Sequence, residues 1–116
     1  MDTPGFIHLE FLRKTVLQLP GVTEKLLFGE PAFSVNKKLF AVLKSDGQTL
    51  AINTAERDVW MQADPHTFYI TPHFQNYDYM LIRLERVDPD DLVNLLIKAW
   101  RKRATKKLIQ QYEENA

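Results

Sequence analysis

A chain of 116 residues, 45% hydrophobic and 26% charged, is sized for one domain with a buried core and is too apolar for disorder. Lysine plus arginine (15) balance aspartate plus glutamate (15), so no global field draws DNA, an acidic substrate or a membrane surface, and any nucleic-acid contact must come from a local patch. Cysteine is absent, which excludes a disulfide scaffold, a thiolate nucleophile or a cysteine metal site; no apolar run is long enough to span a bilayer, and "MDTPGFIHLEFLRK" has no basic start followed by an apolar block, so the expectation is a cytoplasmic protein forming a single domain over residues 1–116.

In chain order, Thr3 is placed to cap a helix and Pro4 suits its first position. Leu9, Leu12, Val16 and Leu19 then recur at helical spacing up to the Pro20–Gly21 break. The β-type runs "TEKLLFGE", "AFSVN", "KLFAVLKS" and "TLAIN" follow, separated by Gly29–Pro31, Asn36–Lys37 and Asp46–Gly47. Asp46–Gly47 is the clearest hairpin signal, because a type I′ turn needs positive φ at both central residues, and the four runs predict an antiparallel meander. Asn53 followed by Glu56 resembles a capping box, which predicts a short helix over "TAERDVWMQA", ended by "ADP". "FYIT" then reads as a short strand, "PHFQNYD" as a loop, and "YMLIRLER" as a strand apolar on both faces and therefore central in its sheet. Asp88 as cap, Pro89 at the first position and Asp91 in the first turn open a helix with the apolar stripe Leu92, Leu95, Leu96, Ala99 and Trp100. Thr105 is placed to cap a last helix, "KKLIQQYEE".

The order α-β-β-β-β-α-β-β-α-α predicts an α+β domain, an antiparallel sheet of about five or six strands with helices packed on it. Its expected core includes Leu12, Val16, Phe40, Val42, Ile52, Ile82, Leu84, Leu95, Leu96 and Trp100.

Little in the chain points to catalysis. His8, His66 and His73 have no zinc-type spacing, so neither a metal nor another cofactor is expected. His73 is the best acid–base candidate, because Tyr77 and Asp78 share its loop, but no nucleophile partners it, and an aromatic-flanked loop histidine is more often a packing residue. Ser34 lies inside a strand and Ser45 beside a turn, neither in a Gly-x-Ser-x-Gly elbow. Gly5, Gly21, Gly29 and Gly47 are too scattered to cradle a phosphate. Glu24 and Glu30 are conceivable as a carboxylate pair for glycoside chemistry, although strand glutamates usually face water.

Positive charge concentrates near the C-terminus, in Lys98, Arg101, Lys102, Arg103, Lys106 and Lys107. Lys98, Lys102 and Lys106 share one line if the helix continues. The ordinary reading is a solvated face complementing the helix dipole. The functional reading is a phosphate-contacting surface, with Lys37 and Lys38 at a hairpin tip as a second contact. Phe68, Tyr69, Phe74, Tyr77 and Tyr79 read as core and groove lining, with a stacking platform for unpaired bases as the alternative.

The segments "LPGVTEKLLFGEPAFSV", "KLFAVL", "ADPHTFYITPHFQNYDYMLIRLERV" and "LLIKAWRKRATKKL" together resemble the MmcQ/YjbR family of small bacterial proteins, and the ordered series "FGEPAF", "KLFA", "PHF" and "KKL" carries most of the likeness. The resemblance implies an α+β fold akin to secretion-chaperone-like domains, compared with a double-winged DNA-binding arrangement, and it is on that comparison that family members are labelled DNA-binding. It also implies that His73, Phe74, Asn76, Tyr77 and Tyr79 line a recognition groove. Asn76 stands where the family usually has a lysine, and Asp78 adds a negative charge beside it, which weighs against a phosphate contact from this loop. The expected function is a non-enzymatic binding module for DNA, weak and non-specific, through Lys37, Lys38, Lys98, Arg101, Lys102, Lys106 and Lys107. The alternative is a protein-interaction adaptor resembling a small chaperone, followed by an enzyme using the His73 loop. No membrane partner is expected, and nothing in the pattern specifies an oligomeric state.

Overall fold

The computed structural model describes residues 4–115, with side chains from Ile7 onward; the expected Thr3 cap lies outside them. Helix α1 (Pro4–Val16) leads into strands β1 (Val22–Leu27), β2 (Glu30–Val35), β3 (Lys38–Leu43) and β4 (Thr49–Asn53). Helix α2 (Arg57–Ala63), strand β5 (Phe68–Tyr69), a 3₁₀ turn (Pro72–Phe74), strand β6 (Tyr79–Arg83) and helices α3 (Pro89–Arg103) and α4 (Lys106–Glu114) follow. The six strands form one antiparallel sheet in the order β1-β2-β3-β4-β6-β5, the α+β architecture expected. β6 is an inner strand, bounded by β4 and the two-residue edge strand β5.

Each strand sends alternate residues to opposite faces. On one face Phe33, Phe40, Leu50, Ile52, Met80 and Ile82 bury against Leu12 and Val16 of α1 and against Leu92, Leu95, Leu96 and Trp100 of α3. All ten residues expected in the core are buried, nine of them in this layer and Val42 on the opposite face. Trp100 is fully buried and its indole N–H donates to the Pro20 carbonyl (2.9 Å), so its large apolar surface is covered with its one donor satisfied. Helix α4 folds back so that Tyr112 meets Trp100 edge-on at 5.2 Å. Leu108 of α4 sits 2.8 Å from where a Cβ on Gly21 would project, and Gly21 has φ of +76°, so only glycine turns the chain from α1 into β1 beneath α4.

Three local expectations are corrected. The two-residue turns with positive φ at both positions are Phe28–Gly29 (52° and 80°) and Asn36–Lys37 (54° and 61°), whereas at Asp46–Gly47 only the glycine has positive φ (70°). There the Asp46 carboxylate accepts from the N–H groups of Gln48 (2.8 Å) and Thr49 (2.9 Å), which holds a longer loop in place of a type I′ turn. Asn53 and Glu56 form no capping box: Asn53 ends β4 with its side chain buried and donating to the Asp78 carbonyl (3.1 Å), and α2 starts after Glu56 without a side-chain cap. The line of Lys98, Lys102 and Lys106 is broken, because Ala104 is extended (ψ 155°) and Thr105 caps a separate α4 by accepting from the Leu108 N–H (3.2 Å).

Candidate functional site

The face of the sheet turned away from α1 and α3 carries the site. Its floor is one register row, Ala32 (β2), Val42 (β3), Ala51 (β4), Leu81 (β6) and Tyr69 (β5). Over Val42 and the small Ala51 of this row lies a groove of about 300 Å³ between two walls. One wall is the segment 72–79, contributing His73, Phe74, Tyr77 and Tyr79; the other is the tip of the β1–β2 hairpin, contributing Leu27 and Phe28.

The first wall has little regular structure and is held chiefly by one side chain, Arg57, with Asn53 bonding the Asp78 carbonyl besides. Nη1 of the Arg57 guanidinium donates to the carbonyls of Phe74 (2.9 Å), Tyr77 (2.6 Å) and Tyr79 (3.1 Å), and Nη2 donates to that of Gln75 (2.8 Å). A planar fork with several donors is the group suited to gathering carbonyls that no strand or helix satisfies. With the backbone gathered inward, the rings stack along the groove: His73 meets Phe74 edge-on at 4.9 Å, and Phe74 lies 6.2 Å from Tyr79. Tyr79 closes one end, its hydroxyl donating to the Leu39 carbonyl (3.0 Å). Burial pushes the Tyr79 phenol above its ordinary range while the Arg103 guanidinium pulls the other way, so the ring stays neutral.

The hairpin wall is built differently. Phe28 is 97% exposed and has φ of 52°, a backbone region that bulky side chains avoid, while Leu26 and Leu27 beside it are also exposed. An apolar cluster held out to water at a strained turn is the kind of surface that marks recognition in a folded domain. The far end of the groove carries the Lys44–Glu30 ion pair (2.9 Å), so it adds no net charge there.

His73 is exposed, its side chain makes no hydrogen bond among the described residues, and its neighbours are aromatic rings. Glu24 and Glu30 project from opposite faces of the β1–β2 hairpin, since Glu24 pairs with Phe33 and Leu27 with Glu30. Glu24 is held by Nε and Nη2 of Arg13 (2.8 and 2.7 Å) and Glu30 by Lys44 and the Ser45 N–H, so the two do not form a carboxylate pair. No group of three potential metal ligands occurs among the described residues.

Three of the six C-terminal cations are engaged: Lys98 with Glu56 (3.3 Å), Arg101 with Glu113 (2.8 Å) and Lys102 with Asp78 (3.8 Å). Lys37, Lys38, Lys106 and Lys107 are exposed and have no acidic partner among the described residues. Asn76 is exposed in the 72–79 segment, beyond the groove lining. Sequence reasoning overlooked Leu27, Phe28, the alanine floor and Arg57. The apolar run "LLF" directly before Gly29 is the one signal that could have marked the hairpin wall, because exposed turns rarely carry three large apolar residues.

Comparison with known proteins places this chain among uncharacterised relatives. A family model described as YjbR matches residues 17–102. Uncharacterised proteins of Mycobacterium bovis and Mycobacterium tuberculosis are 36% identical over 53 residues, covering 46% of this chain and 41% of theirs, so the chain spans less than half the length of these relatives. The crystal structure of a Deinococcus radiodurans protein with a DUF419 domain superposes with a TM-score of 0.70 at 20% identity, over 85% of this chain and 79% of that one, a likeness of fold alone. No helix among the described residues is long and apolar enough to cross a membrane.

Proposed function

We propose, from the premise that this chain belongs to the YjbR family, that it is a non-enzymatic binding module whose working surface is the open face of the sheet. The observation that carries this reading is the apolar groove of about 300 Å³, floored by Val42 and Ala51 and walled by exposed Phe28 on one side and the Arg57-held aromatic segment on the other. Binding grooves are largely apolar and preformed, with few polar groups, and this one matches that description. A non-enzymatic role is favoured because, among the described residues, no nucleophile or carboxylate is hydrogen-bonded to the best acid–base candidate, His73, whose neighbours are the rings of Phe74 and Tyr77.

The ligand the groove suits best is an apolar side chain of a partner protein, in keeping with an adaptor. Capped tripeptides centred on phenylalanine or leucine, titrated into the labelled protein, should shift amide resonances of Val42, Ala51, Phe74 and Tyr77 in a saturable way. Shifts scattered over the surface, or none at millimolar peptide, would remove this reading.

DNA binding is the second reading, favoured by the four unpartnered lysines Lys37, Lys38, Lys106 and Lys107. With ~3–4 phosphate contacts, log K should fall with log salt at a slope of roughly −2.7 to −3.6, and binding should be weak and indifferent to sequence. Absence of binding to duplex DNA at low salt would dispose of it.

A further inference from the structure

Resting on the groove reading above, we infer that the partner is an extended protein segment carrying an acidic residue about three positions from its apolar anchor, and that Arg83 is the group that recognises the acid. The apolar groove does not end at the sheet's centre. On the same face, one register step beyond Ala51 and Leu81, Thr49 pairs with Arg83, and between them and Tyr69 lies a second, polar cleft of about 380 Å³. The central carbon of the Arg83 guanidinium lies over the Tyr69 ring, 4.1 Å from its centroid. A guanidinium resting on an aromatic ring is held in place without using its N–H groups, and a fork with free N–H groups can receive a carboxylate on two donors. Arg83 has no acidic partner among the described residues.

The acids around the cleft do not fill that role. Asp46 has both oxygens occupied, Oδ1 by the N–H groups of Gln48 and Thr49 and Oδ2 by the Thr49 hydroxyl (2.7 Å). Glu85, the other acid in the lining, is exposed and makes no ion pair among the described residues, and Arg86 adds a second cation. A single carboxylate therefore finds an unpaired guanidinium, seated over Tyr69, next to an apolar groove. A polyanion such as a nucleic-acid strand fits less well, because the same cleft is lined by the carboxylates of Asp46 and Glu85. Charge complementarity thus selects a protein segment with one acid beside an apolar residue.

The spacing follows from the sheet. The seat between Val42 of β3 and Ala51 of β4 lies one and a half strand spacings from β6, roughly 7 Å across the sheet, and Arg83 stands two residues further along the strand, roughly another 7 Å, so the two points are about 10 Å apart on the diagonal. A polyproline-like extended segment returns to the same side every three residues and rises about 9.3 Å in doing so. An apolar residue seated on Val42 and Ala51 therefore places a side chain three positions away over Arg83.

The test uses acetyl-Gly-Phe-Ser-Ser-Asp-Gly-amide, its reverse-order counterpart acetyl-Gly-Asp-Ser-Ser-Phe-Gly-amide, and the same two peptides with asparagine for aspartate. Affinities are read from amide shifts in the full chain. At least one aspartate peptide is expected to bind about three- to tenfold more tightly than its asparagine control. That advantage should shrink in about 0.5 M salt, vanish in Arg83→Gln, and survive in part in Arg83→Lys, which keeps the charge without the fork. Arg83 is exposed, so its substitution leaves the core intact. Equal binding of aspartate and asparagine peptides overturns the inference and leaves the groove reading standing. No groove shifts with any of the four peptides overturns both. An oligothymidylate that binds more tightly than every peptide, and loses affinity in Arg83→Gln, would assign the face to nucleic acid instead.

Discussion

The two faces of one sheet come from the same five- and six-residue strands, yet they are finished in opposite ways. Toward α1 and α3 the strands present Phe33, Phe40, Leu50, Ile52, Met80 and Ile82, large residues that fill the space beneath the helices. Toward the other side they present Ala32, Val42 and Ala51, and what stands over them is a loop tied down chiefly by Arg57 and a hairpin tip exposed to water. The difference teaches that a face meant to be closed is specified by side-chain volume, whereas a face left open is specified by small floor residues plus anchors for its walls. The first is a packing problem solved locally; the second depends on contacts between distant parts of the chain.

The sharpest contrast is in stability. Trp100→Ala removes the largest side chain of the closed face and leaves the Pro20 carbonyl unpaired, and is expected to cost roughly 3–5 kcal/mol. Chemical denaturation measures this directly, and an unchanged midpoint would mean that the closed face does not depend on that residue. Arg57→Ala strikes the open face. It should cost about 1.5–3 kcal/mol, the range for hydrogen bonds to a charged group, with the loss confined to the wall. Hydrogen exchange should accelerate at Gln75 and Tyr77, whose N–H groups bond within that segment, and stay slow in β3 and β4. Arg57→Lys is expected not to rescue it, because an ammonium cannot span the carbonyls reached by both arms of the guanidinium. Uniform loss of protection across the sheet would erase the distinction between the faces.

A smaller effect concerns acid. Burial alone would raise the Asp46 carboxyl, but the Gln48 and Thr49 N–H groups, the Thr49 hydroxyl and the Lys44 charge outweigh it and hold the group below its ordinary range. A depressed carboxylate stabilises the fold above its unfolded value of about 3.9, and that contribution fades as pH falls through the lower folded value. Asp46→Asn should therefore lower stability at neutral pH, and its curve should converge on that of the wild type below about pH 4. A gap between the two that is constant with pH would show that Asp46 acts only by shape.

How far this was readable in advance follows the same division. The closed face was legible because period-two and helical spacing mark buried residues directly: Leu92, Leu95, Leu96, Ala99 and Trp100 form the α3 stripe, and all are buried. The aromatic segment around His73, Phe74, Tyr77 and Tyr79 was legible as a groove wall only through family resemblance. Arg57 was not legible at all, since its acceptors are backbone carbonyls that any sequence supplies. The capping box at Asn53 misled because the same side chain found a tertiary partner, the Asp78 carbonyl, before it could cap α2. Asp46–Gly47 misled because the aspartate bonds forward along its own loop, while Phe28–Gly29 adopts the tight turn with a residue that turn statistics disfavour.

That last residue gives the most direct test of the claim that the open face is a working surface. Phe28→Asn replaces an exposed ring in a strained conformation with the residue that a type I′ turn before glycine prefers, and should raise stability by about 0.5–1 kcal/mol. The same change strips one wall from the groove. Measured together on this variant, the thermal midpoint should rise and the affinity for the phenylalanine peptides should fall. A variant that is less stable yet binds them as well as the wild type would show that Phe28 serves the fold, and would contradict the account.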